Sequence, residues 1–150
     1  MEQDYGQLLL KSSSEKGQIS AQESTIRYQN TAVLAFRGLA LTNDQITTLM
    51  ERIKSDYEAG YITPHSISFS YTPLNPEALE AILNNLAPSV TDIGLVNCKL
   101  DDYEASKLLL FLKNSSHIRM LCAEGNQISE RLKNEFRRLA ASRSNLFVMI

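Results

Sequence analysis

The sequence predicts an α/β chain made of repeated strand–turn–helix units. Three observations predict it. An eleven-residue pattern, apolar at its first, fourth, sixth and eleventh positions and polar or small at its ninth, recurs along the chain. An amphipathic stripe with helical spacing follows each copy. A residue suited to capping a helix stands just before each stripe. Copies start at residues 31, 64, 90 and 118, with a partial copy at 146, at spacings of 33, 26, 28 and 28 residues.

Residues 1–30 precede the repeats and form a separate region, a cap or partly disordered arm, ahead of a repeat domain over 31–150. Ser12 to Gly17 is a polar break between two flanks, 7–11 and 25–29. The flanks fit a hairpin that covers the first unit, whose apolar face would otherwise meet water. A disordered tail before Ser24 is the alternative.

The first copy, Thr31 to Leu41, sets Leu34, Phe36, Leu39 and Leu41 on positions four, six, nine and eleven. Its helix follows Thr42 and carries Ile46, Leu49, Met50 and Ile53. The second copy, Pro64 to Leu74, sets Ile67, Phe69, Thr72 and Leu74 there. Asn75 then caps a helix with Pro76 as its first residue, where a missing N–H costs nothing. Its stripe is Leu79, Ile82, Leu83 and Leu86. The third copy fills every marked position with Val90, Ile93, Leu95, Cys98 and Leu100. Asp101 precedes its stripe of Ala105, Leu108, Leu109 and Leu112. The fourth copy has Ile118, Leu121, Ala123, Asn126 and Ile128, then Ser129 and a helix bearing Leu132, Phe136 and Leu139, one residue out of phase. The partial copy runs from Leu146 and reaches Met149 at position four. It is a final apolar strand that either packs as the last unit or meets a partner.

These motifs resemble the leucine-rich-repeat family, in its long, helix-bearing ribonuclease-inhibitor type. The resemblance spans about residues 31–150. Leu39 and Thr72 depart from it, standing where the family has Asn or Cys. It implies a solenoid, a horseshoe segment with parallel strands on the concave side and helices on the convex side. Positions four and six then enter a core shared between units. Position nine turns inward, where Asn or a small buried Cys satisfies backbone groups. Cys98 is therefore expected to be a buried ladder residue. The short, Cys-poor units also look like leucine-rich-repeat effectors of intracellular bacteria such as Legionella. That likeness implies secretion into a host cytosol and a host protein or companion effector enzyme as partner.

Composition narrows function by exclusion. Hydrophobic residues make up 43% and charged residues 21% of the chain, a globular balance. Fifteen basic residues against 17 acidic ones disfavour bulk electrostatic binding of nucleic acid. The basic residues Arg131, Lys133, Arg137, Arg138 and Arg143 cluster in the last helix, but no aromatic platform interleaves with them, so a solvated face is expected. The longest apolar run, Leu108 to Leu112, is far short of the roughly 20 residues of a membrane span. Two Cys and two His scattered over the repeats suggest neither a disulfide framework nor a metal site. No cofactor is implied, and a reducing, cytoplasmic setting is the expectation.

In the arrangement that the resemblance implies, positions two, three, five, seven and eight face outward from the strands. The centre line is small: Ala35, Ser68, Gly94 and Cys122. Around it stand Arg37, His65, Tyr71, Asp92, Asn97, Arg119, Met120 and Glu124. Arg, Tyr and Met are enriched in the cores of protein interfaces. The expected partner-binding residues are these eight with Ser68 and Cys122. A Cys122–His65–Asp92 triad is disfavoured because Cys122 and His65 lie two strands, about 10 Å, apart, whereas a nucleophile and its base need about 3 Å. The expected function is thus a protein–protein interaction module without enzymatic activity, which could inhibit a partner enzyme by covering its active site. The alternatives are a structural or regulatory subunit that assembles through its C-terminal edge, and a substrate-recruiting adaptor in a ubiquitin-ligase-like complex.

Overall fold

The structure, a computed structural model, describes residues 3–4, 28–29, 32–39 and 41–150. Eleven elements follow in the order β1 (Gln3–Asp4), β2 (Tyr28–Gln29), β3 (Val33–Ala35), α1 (Asn43–Glu58), β4 (Ser66–Ser68), α2 (Pro76–Asn84), β5 (Asp92–Gly94), α3 (Asp102–Lys113), β6 (Met120–Cys122), α4 (Glu130–Ala141) and β7 (Phe147–Met149). β1 and β2 pair in parallel. The hairpin expected for 7–11 and 25–29 falls mostly outside the described residues, as do the polar break and Thr31.

From β3 onward strand and helix alternate. The five strands β3 to β7 form one parallel sheet in strict sequence order. Parallel neighbours need a crossover connection, and helices α1 to α4 supply it. Successive helices pack against one another on one side of the sheet. The middle residues Leu34, Ile67, Ile93 and Leu121 point into the core beneath them. Position six adds Phe36, Phe69, Leu95 and Ala123, all buried. The rings of Phe36 and Phe69 lie 5.4 Å apart, in van der Waals reach across neighbouring units.

All four expected caps are present. The side chains of Thr42, Asn75, Asp101 and Ser129 each accept a backbone N–H from the first turn of their helix. Thr42 and Gln45 complete a reciprocal capping box. The stripes face inward: Ile46, Leu49, Met50 and Ile53 are buried, as are Ala105, Leu108, Leu109 and Leu112. α2 ends at Asn84, so Leu86 of the expected stripe lies just past it and is half-buried. Arg143 likewise lies beyond α4, and its guanidinium donates to the Lys113 carbonyl at 2.9 Å. Among the described residues no helix is long and apolar enough to cross a membrane.

Position nine is a ladder of side chains that satisfy the backbone of their own or the preceding unit. The Thr72 hydroxyl donates to the Leu39 carbonyl at 3.0 Å. The Cys98 thiol donates to the Phe69 carbonyl at 3.3 Å. Asn126 does most: its Oδ1 accepts from the N–H groups of Cys98 and Leu100, and its Nδ2 donates to the carbonyls of Leu95 and Ala123. Thr72 thus fills position nine with one bond where Asn126 makes four.

The last unit corrects the expected register. Val148, not Met149, pairs with Leu121 of position four. The hydrogen bonds say why: the N–H of Ala123 reaches the carbonyl of Met149, as the N–H of Leu95 reaches that of Cys122 one unit earlier. Met149 therefore sits at position five. A one-residue slip exchanges the faces of a strand, so Phe147 and Met149 point away from the core.

One buried group is poorly matched to its surroundings. Glu104, in the first turn of α3, is 5% exposed, and its Oε2 has no hydrogen-bond partner. Burial, a hydrogen bond with Asp101 and the charges of Asp101 and Glu77 raise its carboxyl to about 7. Folding thus favours the protonated acid. That contribution is full below about pH 4.5, declines above it, and is gone once the pH has passed about 7. Glu104→Gln is expected to flatten this part of the stability profile and to gain on wild type between about pH 5 and pH 8, as urea unfolding across that range will show. Asn126→Ala, which orphans two N–H groups and two carbonyls, is expected to cost about 3 kcal/mol, against about 1 kcal/mol for Thr72→Val in the same assay.

Candidate functional site

The face of the sheet opposite the helices carries the first and third residues of each strand. At position three stand Val33, Ser66, Asp92, Met120 and Phe147. At position five stand Ala35, Ser68, Gly94, Cys122 and Met149. The centre line is small over four strands and ends in Met149. Gly94 has a steric reason to be glycine, since a Cβ there would fall 2.8 Å from the Ser68 hydroxyl. That hydroxyl meets Ser70 Oγ at 3.2 Å, and Ser70 Oγ accepts the Val96 N–H at 3.0 Å. Ser70, at outward position seven, is buried by these bonds.

Each of the strands β3 to β6 leaves this face through a turn whose eighth position has positive φ: Gly38 at 73°, Tyr71 at 67°, Asn97 at 52° and Gly125 at 75°. The turn persists with bulky residues because its N–H is used. Those of Gly38, Tyr71 and Asn97 donate to the carbonyls of Ser70, Val96 and Glu124 in the next unit. Left-handed backbone is unfavourable for Tyr. Tyr71 nonetheless stands there, half-exposed, with the Arg37 guanidinium 5.4 Å from its ring centre. The Asn97 side chain lies against the backbone of Gly125, leaving no room for a Cβ.

The expected residues fall into groups. Arg37 and Tyr71 meet at the β3–β4 end. His65 is exposed just before β4, and its N–H donates to the Ala32 carbonyl. Asn97 and Glu124 occupy adjacent turns, both exposed. Ser68 and Cys122 are half-buried on the centre line. Asp92, Arg119 and Met120 converge. With Thr91, Ser144, Asn145, Leu146 and Phe147 they line a pocket of about 610 Å³ over the starts of β5, β6 and β7. The Asp92 carboxylate accepts the Thr91 hydroxyl at 2.9 Å. No ion pair joins Asp92 to Arg119 among the described residues, so an anion and a cation both line the cavity. Met120 and Phe147, 37% and 57% exposed, supply apolar walls.

Phe147 and Met149 escaped the sequence reading because Leu146 matches the aliphatic first position and Met149 is acceptable at the fourth. The alternation Phe147–Val148–Met149 was the available signal, since position four is aliphatic in all four earlier units and Val148 fits it at least as well.

The pieces of the disfavoured triad stay apart. β5 lies between the strands of His65 and Cys122, and the two residues are offset by three positions, which separates them by about 14 Å. Burial raises the Cys122 thiol, and the charges of Glu124 and Asp92 raise it further, opposing the thiolate that a nucleophile needs. Burial raises the Cys98 thiol to about 11. Among the described residues, no three His, Cys, Asp or Glu side chains are grouped so as to hold a metal ion.

The sequence matches no protein-family model and no curated protein.

Because Gly38 and Gly125 hold the same turn, Tyr71→Gly is expected to leave the unfolding free energy unchanged or raise it by up to about 1 kcal/mol. Denaturant unfolding checks this, and a clear loss of stability would show that Tyr71 serves the fold instead of its surface.

Proposed function

We propose that this chain is a short leucine-rich-repeat solenoid of the ribonuclease-inhibitor type, with strands lining its concave side and helices its convex side. Support comes from the strict sequence order of the parallel strands, the helical crossovers and the position-nine ladder. Its function is to bind a partner protein through the open face of the sheet, with no chemistry of its own. The partner is a cytosolic protein, in a host cell if the chain is a translocated effector. Binding blocks that partner by covering its active or docking surface.

The pocket between Asp92, Arg119, Met120 and Phe147 carries this reading. It offers an anion, a cation and two exposed apolar side chains within one concavity, the mixture that anchors a protein interface. The small centre line beside it lets a partner's backbone approach the sheet closely. Arg37 and Tyr71 form a second anchor on the β3–β4 side.

Charge reversal at Arg37, Asp92, Arg119 or Glu124 is expected to lower partner capture by about tenfold or more. The unfolding free energy of each variant should stay within about 0.5 kcal/mol of wild type. Affinity purification with mass spectrometry, wild type beside the four variants, measures the first, and denaturant unfolding measures the second. Equal capture by all four variants would overturn the open-face reading.

A further inference from the structure

β7 is paired on one side only. Among the described residues no strand lies beyond it. The N–H of Phe147 donates to the Arg119 carbonyl, and the carbonyl of Met149 accepts from Ala123. Residues 147 and 149 therefore direct their backbone groups toward β6. In a parallel pair this orientation alternates, so the N–H and carbonyl of Val148 face the open edge. Exposed edges are normally protected by charge, proline or a bulge. The segment Leu146–Phe147–Val148–Met149–Ile150 contains no charged residue and no proline.

The segment is also complementary to itself. If Val148 stood opposite its own copy in an antiparallel pair, the two residues would exchange both outward hydrogen bonds. Phe147 would then oppose Met149 of the other chain, twice, on the open face. Both are exposed as the chain stands, 57% and 37%, and a thioether beside an aromatic ring is a favourable contact. On the core side Leu146 would oppose Ile150, extending the buried apolar layer across the junction. Every facing pair is apolar, and none brings like charges together. A surface that matches itself residue for residue about one point is the requirement for a two-fold interface.

We propose that β7 pairs antiparallel with β7 of a second copy of this chain, about a two-fold axis through Val148, joining two five-stranded sheets into one of ten strands. This association uses the edge of the sheet and leaves Asp92, Arg119 and the Arg37–Tyr71 anchor free, sharing only Leu146 and Phe147 with the pocket, so it does not depend on the binding of another protein.

The test is sedimentation equilibrium of the full chain from about 5 to about 500 µM. The expected result is a mass that rises from one chain toward two with concentration and goes no further. Val148→Pro removes the N–H of the central residue of β7, which faces the open edge and which β6 does not use. Met149→Lys puts a charge on the apolar contact opposite Phe147. Each is expected to weaken association about tenfold or more while thermal unfolding stays close to wild type. A single-chain mass over the whole range for wild type overturns the proposal. So does undiminished association in either variant once it is shown to be folded, and Met149→Lys keeps the test decisive if proline impairs folding.

Discussion

The constraint on which this molecule depends is that no unit can satisfy its own backbone. Each strand of the five-stranded sheet is three residues long and bonds only to its sequence neighbours. The same links recur from unit to unit. The N–H of position six reaches the carbonyl of position five in the next unit, from Phe36 to Ser68, Phe69 to Gly94, Leu95 to Cys122 and Ala123 to Met149. The eighth position repeats the device at the turn. Position nine turns a side chain inward to close what remains. An unpaired buried N–H or carbonyl costs about 1–3 kcal/mol, so these links set the register of the sheet. The register then dictates which side chains reach the open face.

Much of this was legible in the sequence because the repeat averages over local ambiguity. A single apolar tripeptide such as Leu34 to Phe36 says little, whereas four copies, each followed by a capped helix, leave few arrangements open. The caps at Thr42, Asn75, Asp101 and Ser129 were readable because each stands three or four residues before the first residue of a helical stripe and has a side-chain acceptor suited to a helix start. The last unit was harder. With no helix after it to mark the phase, Leu146 and Met149 passed for positions one and four, and only the hydrogen bonds from the Phe147 N–H to the Arg119 carbonyl and from the Ala123 N–H to the Met149 carbonyl decide between two registers that differ by one residue. Glu104 was invisible for another reason: in sequence it is an ordinary first-turn acid, and its burial and the nearby charges of Asp101 and Glu77 arise only in the folded chain, which periodicity does not reveal.

The candidate site shows the same division. The outward positions told which residues share the open face, and Arg37, Asp92, Arg119, Met120 and Glu124 are among them. They did not tell which ones converge. The pocket forms where the loop from Ser144 to Leu146 rises beside β5 and β6, and its apolar wall comes from Phe147, a residue assigned by the mistaken register to a different position. The strained turn at Tyr71 is also beyond the reach of a pattern that records only the apolar positions. Its aromatic ring is held in view of solvent by a backbone conformation that glycine adopts at Gly38 and Gly125.

Strand length and helix length behave differently along the chain. Every strand from β3 to β7 has three residues, while α1 has 16, α2 has 9, and α3 and α4 have 12 each. The sheet advances by one strand per unit whatever the length of the crossover that brings the chain back. Insertions and deletions are therefore absorbed on the helical side, while the spacing of side chains on the open face stays at the interstrand distance. A lineage carrying this architecture is free to lengthen or trim its helices without shifting the geometry of its open face, and to change that face by point substitution without altering its length.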